Sequence, residues 1–186
     1  MAKAMNRMTI LSFCGTVLMT LLFRIFGSGL YLTLAITFGT TFYHLGMRLL
    51  VGLIYGVTMR NRADYTRRWY QIRPWEQKLY QFLKVKSWKS KMPAYRPETF
   101  SREKHSWDEI AQAMCQAELV HETNVVLSFA PVICSVWLGE FWVFFITSVG
   151  GALFDLMFAV MQRYNRPRVV KAVLRQKERQ RGARTV

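Results

Sequence analysis

Acidic residues are scarce in this sequence. Asp and Glu together number 11 against 26 Lys and Arg, which gives a formal net charge of +15 at pH 7. In a soluble protein such an excess indicates nucleic-acid binding. Here apolar residues make up 52% of the chain and lie in blocks apart from the basic ones, without any nucleic-acid-binding motif. The composition therefore favours a membrane protein, and we expect no nucleic-acid partner.

Potential metal ligands are also scarce. The three cysteines (Cys14, Cys115 and Cys134) form no C-x-x-C pair, which argues against the usual zinc sites and disulfide frameworks. Glu118 and His121 form one Glu-x-x-His pair, but the di-metal sites of helical bundles need two such pairs. The sequence holds no second pair. We therefore expect no bound metal.

Long apolar stretches predict the fold class. A helix needs about 20 apolar residues to cross the hydrocarbon core of a bilayer. Four stretches approach that length, and glycine-containing turns separate the first from the second and the third from the fourth. The sequence thus predicts an all-α, polytopic membrane protein with two helical hairpins, forming a single membrane domain over residues 1–186. The predicted spans cover about residues 8–26, 30–57, 123–138 and 141–161.

The basic residues predict the orientation of these spans. Thirteen lie between Arg60 and Lys104, nine between Arg163 and Arg184, and two near the N-terminus. The positive-inside rule places these blocks in the cytoplasm, so we expect a bacterial inner-membrane protein with both termini cytoplasmic. The N-terminal run resembles a signal peptide in part, but no A-x-A motif follows it, which favours a retained span.

The polar regions between and after the spans show helical patterns. From Pro74, apolar residues recur at helical spacing among charged ones, which predicts an amphipathic helix in the headgroup layer. A second helix should begin near Ser106 and continue into the third span. We expect the interfacial region 58–122 and the basic tail 162–186 to bind anionic lipids.

Three ionisable residues lie inside predicted spans. His44 and Arg48 are one helical turn apart, and Asp155 lies at a similar distance from the cytoplasmic end of its own span. A charge within a span costs roughly 2.5–3.5 kcal/mol on insertion scales, so it needs a partner. The sequence therefore predicts an Arg48–Asp155 ion pair, which is either purely structural or part of a functional site.

A second polar group lies where the third span meets the cytoplasmic interface. Glu118, His121 and Glu122 are spaced so that all three project from one side of a helix. A histidine beside carboxylates can act as a general base, because an acid fixes its tautomer and stabilises the imidazolium. The alternative is an interfacial histidine that is satisfied by water.

The third polar group follows the fourth span. It presents three arginines with amide and phenol groups over residues 162–168, and Pro167 is expected to end or break the helix. Arginine suits phosphate or carboxylate. An ordinary basic flank of a span is the alternative.

These motifs resemble the glycosyl-4,4'-diaponeurosporenoate acyltransferase family of small bacterial membrane proteins. The resemblance rests on Val85–Lys89 followed by Met92-Pro93, on Ala117–His121, and on Gln162–Arg168. It implies transfer of a fatty acyl group to a sugar hydroxyl of a lipid-linked glycoside in carotenoid biosynthesis. The sequence departs from the family at Glu122, where members have Trp, and at Asp155, where they tend to have Asn.

Roles for individual residues follow from this resemblance as a hypothesis. His121, oriented by Glu118 or Glu122, would act as general base on an acceptor hydroxyl. The expected substrate- and donor-binding residues are Trp88, Lys89, Gln162, Arg163, Tyr164, Asn165, Arg166 and Arg168. The donor would be an acyl-coenzyme A or acyl-carrier protein, with no resident cofactor. Two alternatives stay open: another lipid-headgroup transferase, or a non-catalytic lipid-binding or scaffolding protein.

Overall fold

The structure is a computed structural model that describes residues 2–92 and 97–183. Pro93, which belongs to the resemblance, and Arg184, in the basic tail, lie outside the described residues. The described α-helices are α1 (Ala2–Phe26), α2 (Gly29–Met59), α3 (Pro74–Phe82), α4 (Val85–Trp88), α5 (Trp107–Leu127), α6 (Ala130–Leu138) and α7 (Phe141–Gly182). Short 3-10 helices cover Arg68–Tyr70, Lys89–Lys91 and Pro97–Phe100.

The predicted all-α membrane fold is confirmed. No strand occurs within residues 2–92 and 97–183. Four helical segments are long and apolar enough to cross a membrane, namely α1, α2, α5 with α6, and α7. All four extend beyond the predicted spans, because polar turns continue the same helices at their ends.

The chain divides into two compact units. Unit 1 comprises Met1–Ile54 and Thr123–Asp155, and unit 2 comprises Tyr55–Glu122 and Leu156–Val186. Helices α2, α5 and α7 contribute residues to both. That residues 1–186 act as one membrane domain stays a prediction.

In unit 1, α1 packs on α2 through small residues and aromatic rings. Gly15 lies against Phe38 so closely that a Cβ atom there would come within 2.9 Å of the ring. The rings of Phe13 and Phe42 are 5.2 Å apart. Only Ser12 of α1 is buried. The rest of its apolar surface faces outward, as expected for a helix in lipid, where close packing through small residues holds helices together.

Pro131 interrupts the predicted third span. Proline has no N–H, so the carbonyl of Leu127, four residues earlier, loses its helical partner. The hydroxyl of Tyr43 donates to this carbonyl at 2.8 Å. In a membrane an unsatisfied carbonyl is costly, so α2 supplies the bond that proline cannot, where α5 ends and α6 begins.

In unit 2, α3 begins at Pro74 as predicted, with proline in the first helical turn. Its polar residues Glu76 and Tyr80 are buried, whereas Trp75 and Phe82 are exposed. The apolar face therefore points away from the protein, as an interfacial helix requires.

Helix α5 begins where the sequence predicted it. The backbone N–H of Ser106 donates to Glu109 at 2.7 Å, and the N–H of Glu109 donates back to the Ser106 hydroxyl at 3.2 Å. This reciprocal pair is a capping box.

The prediction that Pro167 ends or breaks the helix is wrong, because α7 continues through it to Gly182. A proline inside a helix costs about 3 kcal/mol. Contacts on both sides of it offset that cost. Arg163 and Arg166 bind Glu118 before it, and beyond it Val173 is buried.

Candidate active site

The centre of unit 2 is a buried carboxylate held by two arginines. Glu118 of α5 is fully buried. Its Oε1 accepts a hydrogen bond from Nη1 of Arg163 at 2.6 Å, and its Oε2 accepts one from Nη1 of Arg166. Arg166, which is 2% exposed, also donates to the backbone carbonyl of Tyr70. The two arginines lie one turn apart on α7, so that both reach the same acid.

A second carboxylate completes the charge balance of this cluster. Arg163 donates two hydrogen bonds to the carboxylate of Glu76 of α3, from Nε to Oε2 at 2.6 Å and from Nη2 to Oε1 at 3.0 Å. This bidentate geometry strengthens the pair. The hydroxyl of Tyr80 donates to Glu76 at 3.0 Å. Burial raises the pKa of Glu76, but the hydrogen bonds from Arg163 and Tyr80 outweigh it and leave the pKa below the usual glutamate range.

These contacts engage several residues that the sequence assigned to substrate. Arg163 and Arg166 are neutralised by Glu76 and Glu118, an arrangement that favours a structural role over binding a donor anion. The indole N–H of Trp88 donates to the carbonyl of Leu83 at 3.0 Å, so it is engaged as well. Gln162, which also belongs to unit 2, is buried.

His121 lies one turn beyond Glu118 on α5. Its ring stacks on Phe158 with centroids 4.9 Å apart and planes at 15°. Glu122 accepts a hydrogen bond from the indole N–H of Trp69 at 3.0 Å. Both oxygens of Glu118 accept hydrogen bonds from arginines, so this carboxylate is committed to the arginine cluster.

Two cations flank the ring of Tyr164 on α7. Nζ of Lys89 lies 4.9 Å from the ring centroid, and the Arg168 guanidinium lies 4.6 Å from it. Lys89 also donates to Oδ1 of Asn165 at 2.5 Å. Burial, the nearby charge of Arg168 and that of Lys86 lower the pKa of Lys89 and outweigh the opposite effect of Tyr164. Two cations this close repel each other, so an anion that binds beside them is stabilised by both charges.

The first polar group predicted from the sequence, which lies in unit 1, contains the expected ion pair. Arg48 and Asp155 make an ion pair at 2.7 Å, with Asp155 only 1% exposed. The guanidinium also donates to the carbonyls of His44 at 2.6 Å and Gly151 at 2.9 Å. Asn124 donates to the other oxygen of Asp155 at 3.1 Å. The prediction of this pair is confirmed.

A comparison with protein-family models decides the class of enzyme. The model of the glycosyl-4,4'-diaponeurosporenoate acyltransferase family matches residues 66–175, more than half of the chain. The chain belongs to this family. It is therefore an acyltransferase. No curated protein and no solved structure matches it significantly.

The match covers the site of unit 2 and only part of that of unit 1. His121, Lys89 and residues 162–168 of the acyltransferase lie inside the matched range, whereas His44 and Arg48 precede it. Asp155, one of the two departures from the family noted in the sequence, is the carboxylate that neutralises Arg48.

Several residues of the polar clusters in the two units were not predicted from the sequence. The sequence analysis assigned no role to Glu76 or Tyr80, although their four-residue spacing opposite the apolar side of α3 indicates a shared polar face. Asn124 and Gly151 had no such signal. Gly151 is needed because a Cβ there would lie 3.1 Å from Arg48 and 3.2 Å from His44.

No group of three or more His, Cys, Asp or Glu side chains that could hold a metal ion occurs in the described part of the acyltransferase.

Proposed function

We propose that the protein transfers a fatty acyl group from a thioester donor to a hydroxyl of a membrane glycolipid, such as a glycosylated carotenoid, with His121 as general base. The observation that carries this proposal is the family match, which encloses His121 and the cationic residues around Tyr164. The family's name indicates the acceptor class.

The proton follows a simple path in this proposal. The neutral imidazole of His121 takes the proton of the acceptor hydroxyl while the hydroxyl oxygen attacks the thioester carbonyl. The tetrahedral intermediate collapses, the carbon–sulfur bond breaks, and the thiolate leaves with the proton that the imidazolium returns. Glu122 is a positioning residue that stabilises the imidazolium. The stacking of His121 on Phe158 supports the role of His121 as base, because it fixes the plane of the imidazole ring.

The donor binds on the cationic side of the site. Lys89 and Arg168 hold the anionic part of an acyl-coenzyme A or acyl-carrier protein, since they lie together over Tyr164. The side-chain –NH2 of Asn165 is the proposed donor to the oxyanion, because its oxygen already accepts from Lys89. Arg163 and Arg166 act as positioning residues, because their hydrogen bonds to Glu118 hold α5, the helix that carries His121.

We also propose a location and an orientation. The protein lies in the bacterial inner membrane with both termini in the cytoplasm, because its basic blocks flank the same ends of the spans. The outward apolar face of α3 and the basic end of α7 lie against anionic headgroups. A reporter fused to either terminus should be protected from periplasmic protease.

Lipid mass spectrometry tests the reaction. Cells that make a broad range of glycolipids would express wild type, His121→Ala or the control His105→Ala at equal membrane abundance. His105 is the other histidine in the matched range, and its side chain is 40% exposed. Wild type and His105→Ala should add one fatty-acyl mass to a glycolipid, and His121→Ala should not. Identical profiles for all three variants and for empty cells would contradict the proposal and favour a lipid-binding protein.

A further inference from the structure

Unit 1 contains a cavity with a few polar groups in its wall, inside its membrane-spanning helices. The cavity lies between α2 and α7 and has a volume of about 260 Å³. Threonines, glycines and one histidine form most of its wall. Its lining residues are Thr40, Thr41, His44, Leu45, Thr147, Gly150 and Gly151.

The histidine of this cavity is buried without a partner. His44 is 8% exposed, and neither of its ring nitrogens has a hydrogen-bond partner among the residues that the structure describes. The hydroxyl of Ser148, which follows the lining residue Thr147 on α7, is also fully buried without a hydrogen-bond partner in the described chain. Leaving a buried polar group unsatisfied is costly, and the cost rises in a membrane, where water is absent. A polar group bound in the cavity would supply the missing hydrogen bonds.

The cavity opens toward lipid. Gly150 is exposed, and a Cβ added to it would meet nothing within 4 Å. The residues one turn away on its face of α7, Ile146, Leu153 and Phe154, are exposed apolar side chains. Gly150 lies nine residues into α7, about 13 Å from its start. The opening is thus a notch in a lipid-facing surface, and a ligand reaches it from within the membrane.

The lining selects the chemistry of the ligand. Each threonine hydroxyl of the wall donates to a carbonyl of its own helix: Thr40 to Ile36 at 3.0 Å, Thr41 to Thr37 at 2.8 Å, and Thr147 to Val143 at 2.7 Å. Their oxygens remain as acceptors only. A neutral imidazole adds one donor and one acceptor. Such a wall suits a group that can both donate and accept, which a hydroxyl does and an ester carbonyl does not.

We infer that the cavity around His44 is a binding site for the hydroxyl of a membrane-dissolved lipid alcohol that enters laterally past Gly150. The inference rests on unit 1 alone and does not depend on the acceptor proposed for the reaction. The ion pair of Arg48 and Asp155 lies next to the residues that line the site, because Arg48 donates to the backbone carbonyls of both His44 and Gly151. The pair adds no net charge there.

Photolabelling of the full-length protein in nanodiscs tests this site. The probe is a long-chain alcohol that carries a diazirine, and the competitors are the unlabelled alcohol and the methyl ester of the same chain length. Labelling should be saturable and should map to α2 or α7 beside the cavity. The unlabelled alcohol should compete at a roughly tenfold lower concentration than the ester, which is the effect of about one hydrogen bond.

Two variants and one control make the result specific. His44→Phe keeps a ring but removes both nitrogens, and should weaken labelling roughly tenfold. Gly150→Leu should block the entrance and abolish saturable labelling. The control, Gly56→Leu, makes the same change at an exposed glycine of a different helix, α2, where a Cβ would also meet open space. This variant should be labelled like wild type. Equal competition by alcohol and ester, or saturable labelling unchanged in Gly150→Leu, would overturn the inference.

Discussion

Units 1 and 2 each bury a carboxylate against arginine, but they differ in what remains unpaired around it. In unit 2 both oxygens of Glu118 are taken by Arg163 and Arg166. In unit 1 Arg48 and Asn124 bind Asp155, yet the ring nitrogens of the neighbouring His44 lack hydrogen-bond partners within the described chain. A fully paired cluster stabilises a framework, whereas an incomplete one marks a place where a ligand supplies the missing bond.

The largest expected effect is on the paired cluster. Glu118→Ala leaves two buried guanidinium groups without their shared acid, which should lower the free energy of unfolding by about 3–5 kcal/mol. The thermal unfolding midpoint in one detergent would show it. Glu103→Ala removes an exposed acid of unit 2 and should change the free energy of unfolding by less than about 0.5 kcal/mol. Equal midpoints for the two variants would mean that the cluster does not stabilise unit 2.

The ion pair of unit 1 should give a smaller effect. Arg48→Ala or Asp155→Ala leaves one charge in a span, at a cost of about 2.5–3.5 kcal/mol on insertion scales. The double variant removes both charges and should cost clearly less than the sum of the singles. Unfolding of the four proteins in mixed detergent micelles would measure this coupling. Additive effects would show that the two charges do not interact.

The cations around Tyr164 should affect the donor. Lys89→Ala should raise KM for the acyl thioester by about tenfold and leave kcat nearly unchanged, because a charge-assisted contact contributes about 1.5 kcal/mol. The control Lys171→Ala removes an exposed cation of α7 and should keep the wild-type KM. A fall in kcat at constant KM would place Lys89 in the chemistry instead.

The lowered pKa of Lys89 sets the sign of a pH effect on this contact. Donor binding needs the protonated amine, so KM should rise with pH, beginning below the usual lysine range. Lys89→Arg keeps its charge throughout and should abolish that rise. A KM with the same pH dependence in both proteins would contradict the assignment.

The smallest expected effect concerns the bond that replaces the N–H of Pro131. Tyr43→Phe removes the donor to Leu127 and should lower the free energy of unfolding by about 1 kcal/mol. Tyr31→Phe keeps the ring contact of Tyr31 with Phe26 and serves as the matched control. If both variants unfold alike, the carbonyl of Leu127 is satisfied in another way.

The prolines show how much of the fold could be predicted from the sequence. Pro74 begins α3 as predicted, because proline suits the first turn of a helix. Pro131 and Pro167 both lie in helical stretches, yet α5 ends just before the first and α7 continues through the second. Local sequence carries the same signal at both positions. The outcome depends on tertiary contacts, namely the Tyr43 hydroxyl at one and the arginines of Glu118 at the other.

The candidate site, like the fold, could be predicted from the sequence only in part. The Arg48–Asp155 pair could be predicted, because two opposite charges at similar depth in a membrane have few other ways to be neutralised. The partners of Glu118 could not. The arginines carry a pattern that suits phosphate, and only the fold brings them to a buried acid instead. The role of His121 as a base remains a proposal, and so does the role of Glu122 as its positioning residue.

The most direct test of the account is the rate of acyl transfer by purified wild type, His121→Ala, His105→Ala and His44→Phe in nanodiscs. The account predicts that His121→Ala lowers kcat by about 10²–10⁴-fold at an unchanged unfolding midpoint. His105→Ala should keep the wild-type kcat, and His44→Phe should keep a kcat far above that of His121→Ala. A His121→Ala protein that retains the wild-type kcat would contradict the central claim that unit 2 carries the chemistry through His121.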